Sequence, residues 1–141
     1  MLTKFFLKIA IKIHIFIYRQ TNGSLGGSTG GAGVLLLTSK GRKTGKERIT
    51  PLSFMMDGSN YVIIASNGGI KKNPGWFYNL KENKDVTIRI KDITKEVKAT
   101  ITSNNEQNRL WPIITARGPE YAKYQEKTSR KIPIVILSPK T

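Results

Sequence analysis

The sequence predicts an α+β fold: a small antiparallel β-barrel of about six strands, with flanking helices and an N-terminal amphipathic helix. Three observations carry that prediction. Six short runs are rich in branched and apolar residues at strand-like spacing. Turn signals join neighbouring runs, the strongest being Asp57-Gly58-Ser59-Asn60. Helical stretches lie between the runs without the regular strand–helix–strand alternation of a parallel sheet. At 141 residues the chain is one domain with enough length to bury a core.

Residues 2–18 carry two competing periodicities. Leu2, Phe5, Phe6, Ile9, Ile13, Phe16 and Ile17 share one helical face, with Lys4, Lys8 and Lys12 beside it. Ile9, Ile11, Ile13, Ile15 and Ile17 also alternate as a strand would. The helix is preferred. The run is too short and too lysine-interrupted to span a bilayer, and no small-residue cleavage site follows it. It reads either as a basic amphipathic element on an anionic membrane or as a helix packed over the barrel. The chain thus divides into this segment, 1–18, and a barrel domain, 19–141. Its expected location is the cytoplasm, with the inner membrane face as the alternative if residues 2–18 make peripheral contact.

Residues 19–33 are glycine-rich and read as a linker or wrapping loop. Strands are expected at about 33–38, 48–56 and 60–66. A loop then ends at Asn73-Pro74, where Asn suits a helix N-cap and Pro the first helical position, and Trp76, Phe77 and Leu80 supply the buried face of a short helix. Strands follow near 86–91 and 95–102, with Asp92 in their joining turn. Helices are expected over 104–116 and 119–128. A last buried strand runs from Ile132 to Leu137.

Composition removes several chemistries. There is no cysteine, hence no disulfide, thiol nucleophile or thiolate metal site. The only histidine, His14, lies in the N-terminal run, so neither a Ser-His-Asp triad nor a histidine-rich metal site can be assembled. The few acidic residues sit at turns and do not pair as a glycosidase or metal site requires. No metal ligand set is expected. The net charge of +15, from 24 Lys and Arg against 9 Asp and Glu, asks for an anionic partner.

Four cations cluster in the turn Gly41-Arg42-Lys43-Thr44-Gly45-Lys46-Glu47-Arg48. Glycines let such a turn be tight and aim N–H groups and guanidinium forks at one anion, although a lysine-rich hairpin tip is more often simply solvated. It is not a nucleotide-binding P-loop: the spacing is one residue short, and Glu47 stands where Ser or Thr should bind magnesium. The glycines at 23–33 are no dinucleotide fingerprint either, because they lead into a strand.

Leu35 to Gly45, then Arg48, Pro51-Leu52, Asp57-Gly58, Ser66, Lys72-Asn73-Pro74, Trp76, Asn79-Leu80, Tyr121, Tyr124, Thr128 and Ile132 to Val135 together resemble the deazaflavin-dependent nitroreductase family. The resemblance spans about residues 19–139. It implies a split β-barrel related to the flavin-binding oxidoreductases of the pyridoxamine-phosphate-oxidase type. It also implies coenzyme F-420 as cofactor, an 8-hydroxy-5-deazaflavin with a phosphodiester and an oligoglutamate tail. By position, Arg42, Lys43, Thr44 and Arg48 would contact phosphate and tail, with Pro51 beside the ring. Ser66, Asn67, Lys72, Asn73 and Trp76 would line the ring and its entry, and Ser66, Tyr121 and Tyr124 would face the acceptor. Each also has an ordinary structural role: Trp76 as core, the tyrosines as helix anchors, Ser66 as a partner for backbone. Ser53 and Gly118 stand where nitroimidazole-reducing members carry tyrosines, and Asn67 replaces a lysine, which implies a wider, more polar acceptor pocket.

The expected activity is hydride transfer from reduced F-420 to a small conjugated acceptor such as a quinone, enone or nitro compound. A hydride-donating cofactor explains how an enzyme manages with so few catalytic side chains. The competing readings are FMN on the same barrel, a non-catalytic deazaflavin carrier and a nucleic-acid-binding barrel. The last is disfavoured because basic residues and aromatics do not interleave on the strands. Related split barrels are often dimers, so a homodimer is open.

Overall fold

The structure, a computed structural model, describes residues 2–24, 28–29 and 32–140. Its elements in chain order are α1 (Leu2–Gln20), β1 (Ser28–Thr29), β2 (Ala32–Lys40), β3 (Glu47–Asp57), β4 (Asn60–Ile64), α2 (Gly75–Glu82), β5 (Asp85–Ile90), β6 (Ile93–Ile101), α3 (Asn104–Arg117), α4 (Glu120–Glu126) and β7 (Ile134–Pro139). Of the glycine-rich stretch, 25–27, 30 and 31 lie outside the described residues.

Strands β2-β3-β4-β7-β6-β5 run in that order, and β5 returns to β2, closing the expected six-stranded antiparallel barrel. Two-residue turns set the register where the sequence signalled them. Asp57 pairs with Asn60 across Gly58, whose φ is +63°, and Ile90 pairs with Ile93 across Lys91-Asp92. Inward-facing Leu35, Leu37, Ile63, Ile88, Val97 and Leu137 fill the barrel. Helix α2 plugs one end with Trp76, Phe77 and Leu80. Each such apolar side chain contributes roughly 1.5–3 kcal/mol by burial. On the outer face, α3 lays Leu110 and Ile114 over Val62, Ile64 and Ile134. The Asp57 carboxylate accepts from Arg109 at 2.7 Å, which holds it below its ordinary value of 3.8.

Strand β4 stops at Ile64, short of the expected Ser66, because the carbonyls of Ala65 and Ser66 accept from the Arg130 guanidinium instead of a neighbouring strand. The last strand begins at Ile134, since Pro133 has no N–H to give a ladder. Helix α2 starts one residue later than expected: Pro74 occupies the N-cap position, and the Asn73 side chain is engaged by Arg130 and Tyr78.

Residues 2–20 are helical, resolving the two periodicities in favour of the helix. The face turned to the barrel is Ile11, His14, Ile15 and Tyr18, whereas Phe5 and Phe16 are 59% and 63% exposed. Among the described residues, no helix is long and apolar enough to cross a membrane. The seam between β2 and β5 has only three paired positions, Leu36–Arg89, Leu37–Ile88 and Thr38–Thr87. Tyr18, fully buried, covers the end of that seam. Its hydroxyl accepts the Lys91 N–H at 2.7 Å and reaches the carbonyls of Val34 (3.0 Å) and Arg89 (3.2 Å), giving its single proton to one of them. The Arg89 guanidinium in turn donates to the Arg19 carbonyl and Asn22 Oδ1 at the end of α1.

Candidate active site

The basic turn between β2 and β3 is a closed loop. Gly41 N–H donates to the Lys46 carbonyl and Gly45 N–H to the Gly41 carbonyl, both at 2.7 Å, and Gly45 takes φ +72°. A Cβ on Gly41 would lie 2.9 Å from Thr44 Oγ1, so glycine is what lets that side chain fold over the turn. Asn79, buried on α2, fixes the turn to the barrel: its Oδ1 accepts from both the Arg42 backbone N–H and the Arg42 guanidinium at 3.1 Å, and its Nδ2 donates to buried Ser39. Arg42 also donates to the Gly75 carbonyl and stacks over the Tyr78 ring at 5.2 Å.

Around this turn lies an open cleft of about 330 Å³, walled by Arg42, Lys43, Thr44, Arg48, Thr50 and Trp76. Trp76 is thus both core and cleft wall, 7% exposed. Among the described residues, the ion pairs are Arg109 with Asp57 and Glu106, and Lys140 with Asp85. Arg42, Lys43 and Arg48 therefore converge without a carboxylate, which is the donor set a phosphate and an acidic tail require.

A second cleft, about 280 Å³, opens on the other side of β3, since Thr50 and Pro51 point to opposite faces of the strand. Pro51, Ser53, Ser66, Tyr121 and Tyr124 line it, together with Glu120 and Gly68, which sequence reasoning did not single out. The two tyrosines stack edge to face at 5.9 Å and also anchor α4 against α3. Burial, helped by Glu120 and Tyr124, raises the Tyr121 hydroxyl above its ordinary 10.0, so it stays a proton-bearing donor through the neutral range. Gly118 lies under Tyr121: a Cβ there would sit 2.8 Å from the ring, so a tyrosine at 118 would displace Tyr121.

Asn67, Lys72 and Asn73 are not on the walls of these two clefts. Asn67, with φ +47°, starts a left-handed turn that continues through Gly68 and Gly69, and its Nδ2 donates to the Lys72 carbonyl. Gly69 brings that turn against α4, because a Cβ would fall 2.8 Å from the Tyr124 carbonyl. The loop is stapled by Arg130, which donates to the carbonyls of Ala65, Ser66 and Ile70 and, at 2.6 Å, to Asn73 Oδ1. Asn73 Nδ2 donates to the Tyr78 hydroxyl beneath Arg42, so a continuous chain of contacts joins the two clefts. Arg130 and Asn79, which fix the loop and the turn beside the clefts, are residues that sequence reasoning did not assign to the site. Asn79 lay within the motif that carried the family resemblance, but nothing in the sequence signalled the partners of Arg130.

A closed antiparallel barrel with a cation-lined cleft beside a tyrosine-lined one suits a split-barrel protein that holds an anionic cofactor. The family model described as F420H(2)-dependent quinone reductase matches residues 10–139, and the chain belongs to that family. It is similar to an F420H(2)-dependent quinone reductase of Mycobacterium tuberculosis, 40% identical over 132 residues that cover 91% of this chain and 89% of the relative. The solved structure of an F420-H2 dependent reductase, FDR-A, superimposes with a TM-score of 0.68 at 34% identity, covering 74% of this chain and 93% of that one. A second solved chain, described as a domain-swapped dimer, gives 0.69 at 32% identity, with 87% and 97% covered. The chain is accordingly a reductase whose cofactor is coenzyme F-420, as the resemblance implied, and FMN recedes to an alternative.

Proposed function

We propose that this chain reduces a quinone, with the phosphate and acidic tail of coenzyme F-420 in the first cleft and the ring beside Pro51 and Ser66. The observation that carries this reading is the convergence of Arg42, Lys43 and Arg48, with Thr44, on one cleft without a carboxylate among the described residues. Trp76 walls the first cleft, where the cofactor's phosphate end would lie, and Asn67, Lys72 and Asn73 shape the loop behind the second. The bound, reduced deazaflavin supplies the hydride. The protein's part is to seat the acceptor in the second cleft and to stabilise the charge that develops on its oxygen. Tyr121 donates a hydrogen bond there and Tyr124 holds Tyr121 edge-on, while Ser53 and Ser66 keep that wall polar. These residues all fall within 19–141, which we take as the catalytic unit.

Fluorescence titration with F-420, followed by mixing the reduced cofactor with menadione, tests the reading. Arg42→Ala is expected to weaken F-420 binding about tenfold, one exposed charge-assisted hydrogen bond. FMN binding without a response to F-420 would overturn the cofactor assignment, and tight F-420 binding without oxidation by any quinone would make the chain a carrier.

We assign residues 2–18 to contact with an anionic membrane, because Phe5, Phe6, Ile9, Ile13 and Phe16 are exposed on α1 and Lys8 and Lys12 flank them. The chain should sediment with phosphatidylglycerol vesicles, and Phe5→Glu with Phe16→Glu should release it. A mass of twice 15.8 kDa by light scattering, without vesicle binding, would give that face to a second copy instead.

A further inference from the structure

Among the described residues, none fills the barrel end opposite the basic turn. There the ends of β3 and β5 and the starts of β4 and β6 enclose a cavity of about 310 Å³ that takes no part in either cleft. Small barrels normally pack this volume with side chains. Here Phe54, Tyr61, Ile88 and Ile90 form the walls, with Ile88 and Tyr61 buried. Gly33 opposite Phe54 holds the ring against the strand: a Cβ on it would lie 2.9 Å from the ring, which meets Tyr61 edge-on at 5.9 Å. Met56 and Ile93 stand at the rim, 40% and 56% exposed.

One cation completes the mouth. Lys95 faces inward, its ammonium donating to the Tyr61 hydroxyl at 3.0 Å and lying 5.6 Å from that ring's centroid. Its sequence neighbour Glu96 points to the opposite face of β6, and no carboxylate among the described residues pairs with Lys95. An apolar chamber with a single ammonium at its opening is complementary to a molecule with an apolar chain and one negative charge. Its volume is at the lower end of small-molecule sites.

We propose that this barrel end binds a single-chain anionic amphiphile, its chain against Phe54, Ile88 and Ile90 and its head group on Lys95. This site is independent of the F-420 assignment. Calorimetric titration with decanoate, decanol and decylammonium below their micelle concentrations tests it, with isoleucine methyl spectra to locate the ligand. Decanoate is expected to bind and to shift the methyl signals of Ile88, Ile90 and Ile93. Lys95→Gln, an exposed substitution that the fold tolerates, should weaken decanoate about tenfold and leave decanol unchanged. Absence of decanoate binding, equal decanoate affinity in Lys95→Gln, or a response confined to Ile9 and Ile13 on α1 would each overturn the proposal.

Discussion

Arg130→Ala is expected to weaken F-420 binding about 30- to 100-fold while lowering the melting temperature by only a few degrees. The variant removes four hydrogen bonds to one loop and leaves the carbonyls of Ala65, Ser66 and Ile70 without their donor. Part-buried acceptors left unpaired cost about 1–3 kcal/mol, and the loop would escape that cost by opening to water. Opening withdraws Ser66 and Gly68 from the second cleft and frees Asn73 from the Tyr78 hydroxyl. A loss of about 2–3 kcal/mol in binding gives the stated fold-change. The measurement is a fluorescence titration paired with a thermal melt. Arg130→Lys should recover part of the affinity, because an ammonium reaches some of these acceptors but lacks the planar fork that spans them. Unchanged binding in Arg130→Ala would show that the loop keeps its shape without the staple.

Asn79→Leu is expected to cost about 2–4 kcal/mol of stability and to weaken F-420 binding about a hundredfold without removing any charge. Its amide is buried and serves three groups: the Arg42 N–H, the Arg42 guanidinium and the Ser39 hydroxyl. Leucine matches its size but leaves all three unserved, and the turn loses its fixed position over α2. Denaturant unfolding and cofactor titration read the two effects separately. Asn79→Asp, which still accepts from Arg42, should keep more of the stability yet bind F-420 poorly, because it places a negative charge beside the cofactor's phosphate. A stability loss with wild-type affinity would show that the turn forms its anion site unaided.

These two residues mark where sequence reading ran out. The strand runs and the turns between them were legible because hairpin signals are local, Asp57 to Asn60 and Ile90 to Ile93 closing within four residues, whereas the pairing of β4 with β7 and of β5 with β2 was not. The basic turn was legible for the same reason, and Arg42, Lys43, Thr44, Arg48 and Trp76 do meet in one cleft. The partners of Arg130 lie 57 to 65 residues away, and main-chain carbonyls leave no trace in side-chain pattern. Helix α1 shows a different limit. Its apolar stripe was visible, but periodicity cannot say which face meets the barrel, and the seam's need for a buried hydroxyl chose Tyr18 over the stripe.

That choice gives the chain an order of assembly. The carbonyls and N–H that Tyr18 serves are 16 to 73 residues distant in sequence, and the strands it bridges meet only when the barrel closes. Contacts of such separation cost more loop-closure entropy than the local hairpins do. The seat of α1 therefore exists only once β2 and β5 have met, and Phe5 and Phe16 stay exposed even then.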